Sequence, residues 1–197
     1  MILSITLILF QGMNPIIASA IMPGWGELIL QRKNEARTFF ILEGSLWLSY
    51  YTFNHFGHGL EKSSRIYAFE HAGANPLRDD QEYFDNIEDY ISSDIYNLFV
   101  ERDASIYYPD DPVKQQEYIQ KYGYFGDDQW EWDTLTSQTT YWQKRKSARE
   151  NLRRASFMTG FMLINRFVSI LNVAILKDGS KLGLDAEPGK IGISYKF

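Results

Sequence analysis

The sequence has no cysteine, only three histidines and no excess of basic residues, and each shortage removes a class of function. Without cysteine there are no disulfides, no thiolate zinc sites and no cysteine nucleophile, and the chain suits either side of a bacterial membrane. Lys and Arg total 20 against 25 Asp and Glu, a net charge of -5, so no basic surface advertises nucleic acid as a partner. No phosphate-binding glycine loop, no G-x-S-x-G and no H-E-x-x-H occurs, so no cofactor is expected and the common hydrolase signatures are missing. At 197 residues the chain has room for one ordinary domain, or for a membrane hairpin bundle with one water-facing insert.

What the chain does have is an almost unbroken apolar run over residues 156–176, SFMTGFMLINRFVSILNVAIL, with Asn165 and Arg166 at its middle. As a helix this run covers about 30 Å, the thickness of a bilayer's hydrocarbon core. The arginine sets a condition on that reading. A guanidinium stays charged in a protein and costs about 2.5 kcal/mol or more at a membrane centre, so it calls for a buried carboxylate or a water-lined cavity. Two further apolar stretches carry carboxylates, 13–30 with Glu27 and 38–53 with Glu43. The expected fold is an all-α membrane protein with a broken N-terminal helical hairpin, a polar helical insert, a C-terminal membrane helix and a short β-hairpin tail.

Residues 1–12 open with MILSITLILF, which reads either as a short signal segment or as the start of the first hydrophobic helix. Residues 13–54 read as the hydrophobic hairpin. Asn14-Pro15 starts a helix, Pro23-Gly24 kinks it, and the basic turn Gln31-Arg32-Lys33-Asn34 leads into the second helix. Residues 55–154 form a polar, tyrosine-rich insert. In it, Glu61 to His71 reads as a helix ended by Gly73, and the spacing of Tyr83, Ile87, Tyr90, Ile91, Ile95 and Leu98 predicts one amphipathic helix over 78–100. A long helix is expected from Trp130 through the basic patch Lys144-Arg145-Lys146, Arg149, Arg153-Arg154 into the membrane helix at 155–177. Residues 178–197 alternate apolar with small or polar side chains around Glu187-Pro188-Gly189, the pattern of a β-hairpin. The two basic groups oppose each other in topology: if both hairpin helices cross, they lie on opposite sides, whereas a re-entrant hairpin puts them on one.

Candidate functional residues fall in two groups. Asn165, Ser169 and Asn172 lie at i, i+4 and i+7, one stripe of the last helix flanked by Arg166, with Glu27 and Glu43 as their natural partners. This intramembrane polar cluster reads as an ion pair fixing how the helices dock, or as a relay or polar ligand cradle. His55 and His58 stand at metal-ligand spacing with Glu61 nearby, and His71 follows Glu70. Gly57 and Gly59 argue for a loop there, which weakens a metal site. Tyr122, Tyr124, Phe125, Trp130, Trp132, Tyr141 and Trp142 read either as insert packing or as a stacking platform. Asp110-Asp111 and Asp127-Asp128 lack the spacing of a calcium loop and read as solvated turns.

Residues 14–54, with Asn14-Pro15, the Pro23-Gly24-Trp25-Gly26-Glu27 run and the central Glu43-Gly44, resemble the hairpin of an uncharacterised family of bacterial membrane proteins known by a domain of unknown function. Tyr67-Ala68, His71-Ala72-Gly73, Asp79-Asp80, Tyr83-Phe84, Tyr96-Asn97, Arg102-Asp103, Trp130-Glu131-Trp132, Arg145 and Asn165-Arg166 with Ser169 extend the resemblance over most of 14–176. Glu27 stands where many such relatives have Gln, and Asn172 where an acidic residue is expected. The resemblance implies architecture and an envelope location, and brings no activity with it. Together these readings point to a non-catalytic scaffold or accessory subunit in the bacterial membrane, the inner favoured over the outer. Its partners would be membrane lipid and another envelope protein. The alternatives are a membrane-embedded enzyme or ligand-binding protein using Glu43 and Arg166, and an exported soluble bundle with the apolar stretches as its core.

Overall fold

The computed structural model describes residues 12–177 and, as backbone, the strands within 182–187 and 190–195. The fold is mostly helical. Its helices are α1 (Pro15–Ile21), α2 (Trp25–Ile29), α3 (Lys33–Ala72), α4 (Gln81–Asp89), α5 (Ser93–Tyr107), α6 (Pro112–Tyr122) and α7 (Leu135–Lys177), with a 3-10 turn at Gly126–Asp128. The chain divides into two compact units, one made of Met1–Asn54 with Arg153–Phe197 and the other of His55–Leu152. The two long helices, α3 of 40 residues and α7 of 43, contribute to both units.

In the first unit, the stretch 13–30 is two short helices instead of one kinked helix. Asn14 caps α1, its side chain accepting from the Ile16 amide, and Pro15 occupies the first turn, where its missing N–H costs nothing. Pro23 cannot continue that helix, and Gly24 takes φ 98°, a left-handed turn that suits glycine. The chain then folds back. A straight helix would separate positions 19 and 27 by about 12 Å, yet the Ser19 hydroxyl lies 3.0 Å from the Glu27 carboxylate. Gly26 makes the close approach feasible, since a Cβ there would lie 2.3 Å from both the Pro15 carbonyl and the Ser19 hydroxyl. Gln31, at φ 60°, makes a second reversal into α3.

The second unit is built around aromatic rings. Tyr83, Phe84, Ile87, Tyr124, Trp130, Trp132 and Tyr141 pack with Ala68, Ala72 and Ala74 as its core. The helix expected over 78–100 is in fact α4 and α5, broken at 90–92. Asp80 caps α4 through the Tyr83 amide and Ser92 caps α5 through the Ile95 amide, so each cap side chain restarts the helix that pattern alone would run together. The break has a tertiary cause. Residues 130–133 lie extended across it, with Trp132 N–H on the Ile91 carbonyl and Ser93 N–H on the Trp130 carbonyl, both at 2.9 Å. That segment is therefore not the start of the long helix, which begins at Leu135. The indoles then close the end of α4: Trp132 Nε1 donates to the Ile87 carbonyl at 2.9 Å and Trp130 Nε1 to the Tyr90 carbonyl at 3.1 Å, satisfying carbonyls that a helix C-terminus leaves open.

Around Gly57 and Gly59 the chain is helical, within α3, and not the expected loop. Gly57 earns its place by packing, since a Cβ there would lie 2.7 Å from the Leu152 side chain. Past α7, β1 (Leu182–Glu187) pairs antiparallel with β2 (Lys190–Tyr195), Leu182 opposite Tyr195 and Glu187 opposite Lys190. The signal-segment reading of 1–12 falls almost wholly outside the described residues.

Candidate functional site

The first unit holds a polar seam on the inner face of α7, made of two carboxylate clusters. Glu27 is fully buried, as are Ser19 and Ser169, with Asn172 at 1 % exposure. Its carboxylate accepts from Ser19 Oγ at 3.0 Å, from Ser169 Oγ at 2.9 Å to each oxygen and from Asn172 Nδ2 at 3.2 Å. Among the described residues no ion pair involves Glu27. Both serines are in turn held by backbone donors: the Gly26 amide donates to Ser19 Oγ and the Gly24 amide to Ser169 Oγ, each at 3.1 Å. A hydroxyl that accepts from a fixed N–H directs its own proton elsewhere, here onto Glu27. Amide, hydroxyl and carboxylate thus form two ordered chains, and each starts in the Gly24–Gly26 turn that Pro23 creates.

The second cluster centres on Glu43 in α3, buried at 3 % exposure. It accepts from Asn165 Nδ2 at 2.9 Å, Trp47 Nε1 at 3.2 Å and one terminal nitrogen of Arg166 at 3.3 Å. The structure therefore divides the six candidates of this group between two sites: Glu27 with Ser169 and Asn172, Glu43 with Asn165 and Arg166. Among the described residues two buried polar atoms here have no partner, Asn165 Oδ1 and Arg166 Nε. Ser19 and Trp47 are participants that sequence reasoning missed. Trp47 was within reach, one helical turn from Glu43; Ser19 meets Glu27 only because the chain reverses between them.

The histidines do not converge. His58 Nδ1 stands 3.4 Å from Glu61 in an exposed pair, His55 contacts the Phe56 ring, and His71 Nδ1 lies 2.8 Å from Asp133. Among the described residues no group of three or more histidine, aspartate or glutamate side chains is placed to hold a metal ion. Hydrogen bonds from Ser137 and then His71 hold the Asp133 carboxyl below its ordinary range. The Tyr67 ring stacks on His71 with centroids 4.2 Å apart, so this pair joins the end of α3 to the extended segment before α7.

Three arginines of the second unit also tie its elements together. Arg145, 5 % exposed, donates to the Phe84 carbonyl, to Asp85 at 2.7 Å and to Glu88 at 2.8 Å. Arg149 grips the same Glu88 with two nitrogens at 2.7 and 2.8 Å. Arg78 bonds Asp80 at 2.6 Å and Asp128 at 2.8 Å, so Asp128 is an ion-pair partner and not the solvated turn residue expected. Burial pushes the Tyr96 phenol up to about 12 and raises Tyr83, Tyr124 and Tyr141 as well, which leaves these hydroxyls neutral at ordinary pH.

Among the described residues one helix, α7, is long and apolar enough to cross a membrane, and only 28 % of its most apolar window is buried. The core helix of a soluble protein is mostly buried, so a feebly covered apolar helix is compatible with a transmembrane one. No family model matches the chain, and no match is found among curated proteins or solved structures.

Proposed function

We propose that the chain is a non-catalytic integral protein of the bacterial envelope, a scaffold or accessory subunit that contacts another envelope component. In this reading α7 crosses the bilayer beside the apolar part of α3, α1 and α2 form a re-entrant pair, and β1 and β2 make a β-hairpin tail. The inner membrane is favoured over the outer, because helices carry the apolar surface and not a closed barrel.

One observation supports this most: among the described residues the first unit buries a polar cluster and leaves many large apolar side chains exposed. Glu27, Glu43, Asn165, Ser169 and Asn172 are buried, while Ile41, Leu48, Phe161, Leu163, Ile164 and Phe167 are exposed. Water would drive the opposite arrangement, and a hydrocarbon surrounding favours this one. The saturation of Glu27 by the chain's own donors argues for a structural lock, since no free lone pair is directed at a reacting atom. A single observation favours the alternative, a small polar ligand at Glu43 and Arg166: the unpartnered Asn165 Oδ1. Fractionation tests the membrane reading. Retention through carbonate washing and release by detergent are expected, and release by carbonate would overturn it.

A further inference from the structure

Arg166 sits at the midpoint of the apolar run 156–176, and the described residues satisfy it only in part. A guanidinium offers five N–H donors. Among the described residues its one acceptor is Glu43 Oε1, at a long 3.3 Å, and that oxygen is shared with the Trp47 indole. Among the described residues Arg166 Nε, shut off from solvent, has no partner. The rest of the side chain is not enclosed, because 36 % of its surface is exposed. Leu163, three residues before it, and Phe167, the next residue, are 68 % and 63 % exposed, and Trp47, which shares Glu43 Oε1 with it, is 52 % exposed.

Glu43 has little left to give, since it already accepts from Asn165, Trp47 and Arg166 and is itself buried. At 3 % exposure it presents little surface to a second copy's Arg166, which argues against a symmetric pairing through this site. A guanidinium half-open to hydrocarbon is costly, and ionisable side chains inside membranes pair with one another or face a polar cavity. The group that completes this one is an acceptor of negative charge at the same depth, set in an apolar surface that covers Leu163, Phe167 and Trp47.

We infer that Arg166 is a socket for the membrane helix of another protein, one that carries an Asp or Glu side chain near its midpoint. The inference rests on the membrane reading above and names the partner's chemistry: apolar contact with Leu163, Phe167 and Trp47, and one carboxylate that takes terminal N–H groups of Arg166 that Glu43 leaves free. Such a carboxylate offers two oxygens to a planar fork of donors, the geometry that makes arginine pairs directional. A Gln in its place keeps the shape and loses the charge, so the preference of Glu over Gln isolates the pairing.

The test uses the full chain, purified in detergent and reconstituted in phosphatidylcholine vesicles with a fluorescent poly-leucine helix bearing one central Glu, or its Gln twin. Energy transfer should report association of the Glu helix at least tenfold tighter than of the Gln helix. Arg166→Gln should abolish that preference, and Arg166→Lys, which keeps the charge, should retain part of it with the helical content unchanged. Equal association of the two helices, a preference that survives Arg166→Gln, or Arg166-dependent self-association in place of peptide binding would each overturn the pairing. Vesicle flotation after a carbonate wash separates the two readings. Protein that floats but ignores the Glu helix leaves the membrane assignment standing, whereas protein that does not float overturns both.

Discussion

The two units of this chain differ in what dominates the interior. In His55–Leu152 the interior is a ring cluster, Tyr83, Phe84, Tyr124, Trp130, Trp132 and Tyr141, and ion pairs lie around it. Among the described residues of the unit of Met1–Asn54 and Arg153–Phe197 the interior holds two carboxylates with serine and asparagine donors beside Phe39, Met162 and Val173, and many large apolar side chains lie outside. The first pattern follows from water expelling apolar surface; the second arises where the surroundings are themselves apolar and only polar groups gain by meeting. The contrast teaches that one helix can serve both rules, since α7 presents Tyr141 and Arg145 to the ring cluster and Asn165, Ser169 and Asn172 to the carboxylates.

Substitutions should separate the two rules. The largest effect is expected for Trp132→Ala, which empties the centre of the ring cluster and leaves the Ile87 carbonyl without its donor. A loss of about 3–5 kcal/mol is expected, read as a lowered melting transition and increased proteolysis within 55–152, with or without lipid. If it loosened the other unit equally, the division into two interiors would be wrong. Ser169→Ala should come next. It removes a donor to Glu27 and the acceptor of the Gly24 amide together, at a cost of about 1–3 kcal/mol. Ser169→Thr, which keeps the hydroxyl, should cost less, and amide exchange at Gly24 is the direct readout; unchanged protection there would refute the ordered chain. The smallest effect is that of acid. Hydrogen bonding to Arg78 holds the Asp80 carboxyl below its ordinary value of 3.8, so the folded state binds that proton less readily than the unfolded one. The stabilisation is present above that value and is lost as pH falls through the lower, folded-state value. Melting curves of the wild type should drop more between pH 5 and 2.5 than those of Asp80→Asn, and parallel drops would remove the pair from the account.

The helical class was legible because its signals are local. Asn14-Pro15, Pro23-Gly24, and Gly73 at the end of α3 each stop or start a helix for reasons carried within one turn of chain. The stripe of Asn165, Ser169 and Asn172 was legible for the same reason, as was the grouping of Glu43 with Arg166, by elimination among few charges. What could not be read came from contacts distant in sequence. The break at 90–92 depends on the segment 130–133 lying across it, and no pattern within 78–100 announces that. Gly57 looked like a loop residue because its packing partner, Leu152, is far along the chain. Ser19 was invisible as a partner of Glu27 because helical spacing carries it away from position 27, and only the reversal at Pro23-Gly24 brings it back.

The lock on Glu27 has a consequence for how the protein is made. Its partners Ser169 and Asn172 lie 142 and 145 residues downstream. At about 5–20 residues per second, a ribosome needs on the order of ten seconds to produce them after Glu27 has emerged. During that interval Ser19 is the nearby donor, and the α1–α2 turn is an unfinished structure with a carboxylate in want of bonds. The α1–α2 turn therefore completes its bonding only when α7 arrives, and a nascent chain stalled before residue 169 should be the form that quality-control proteases meet.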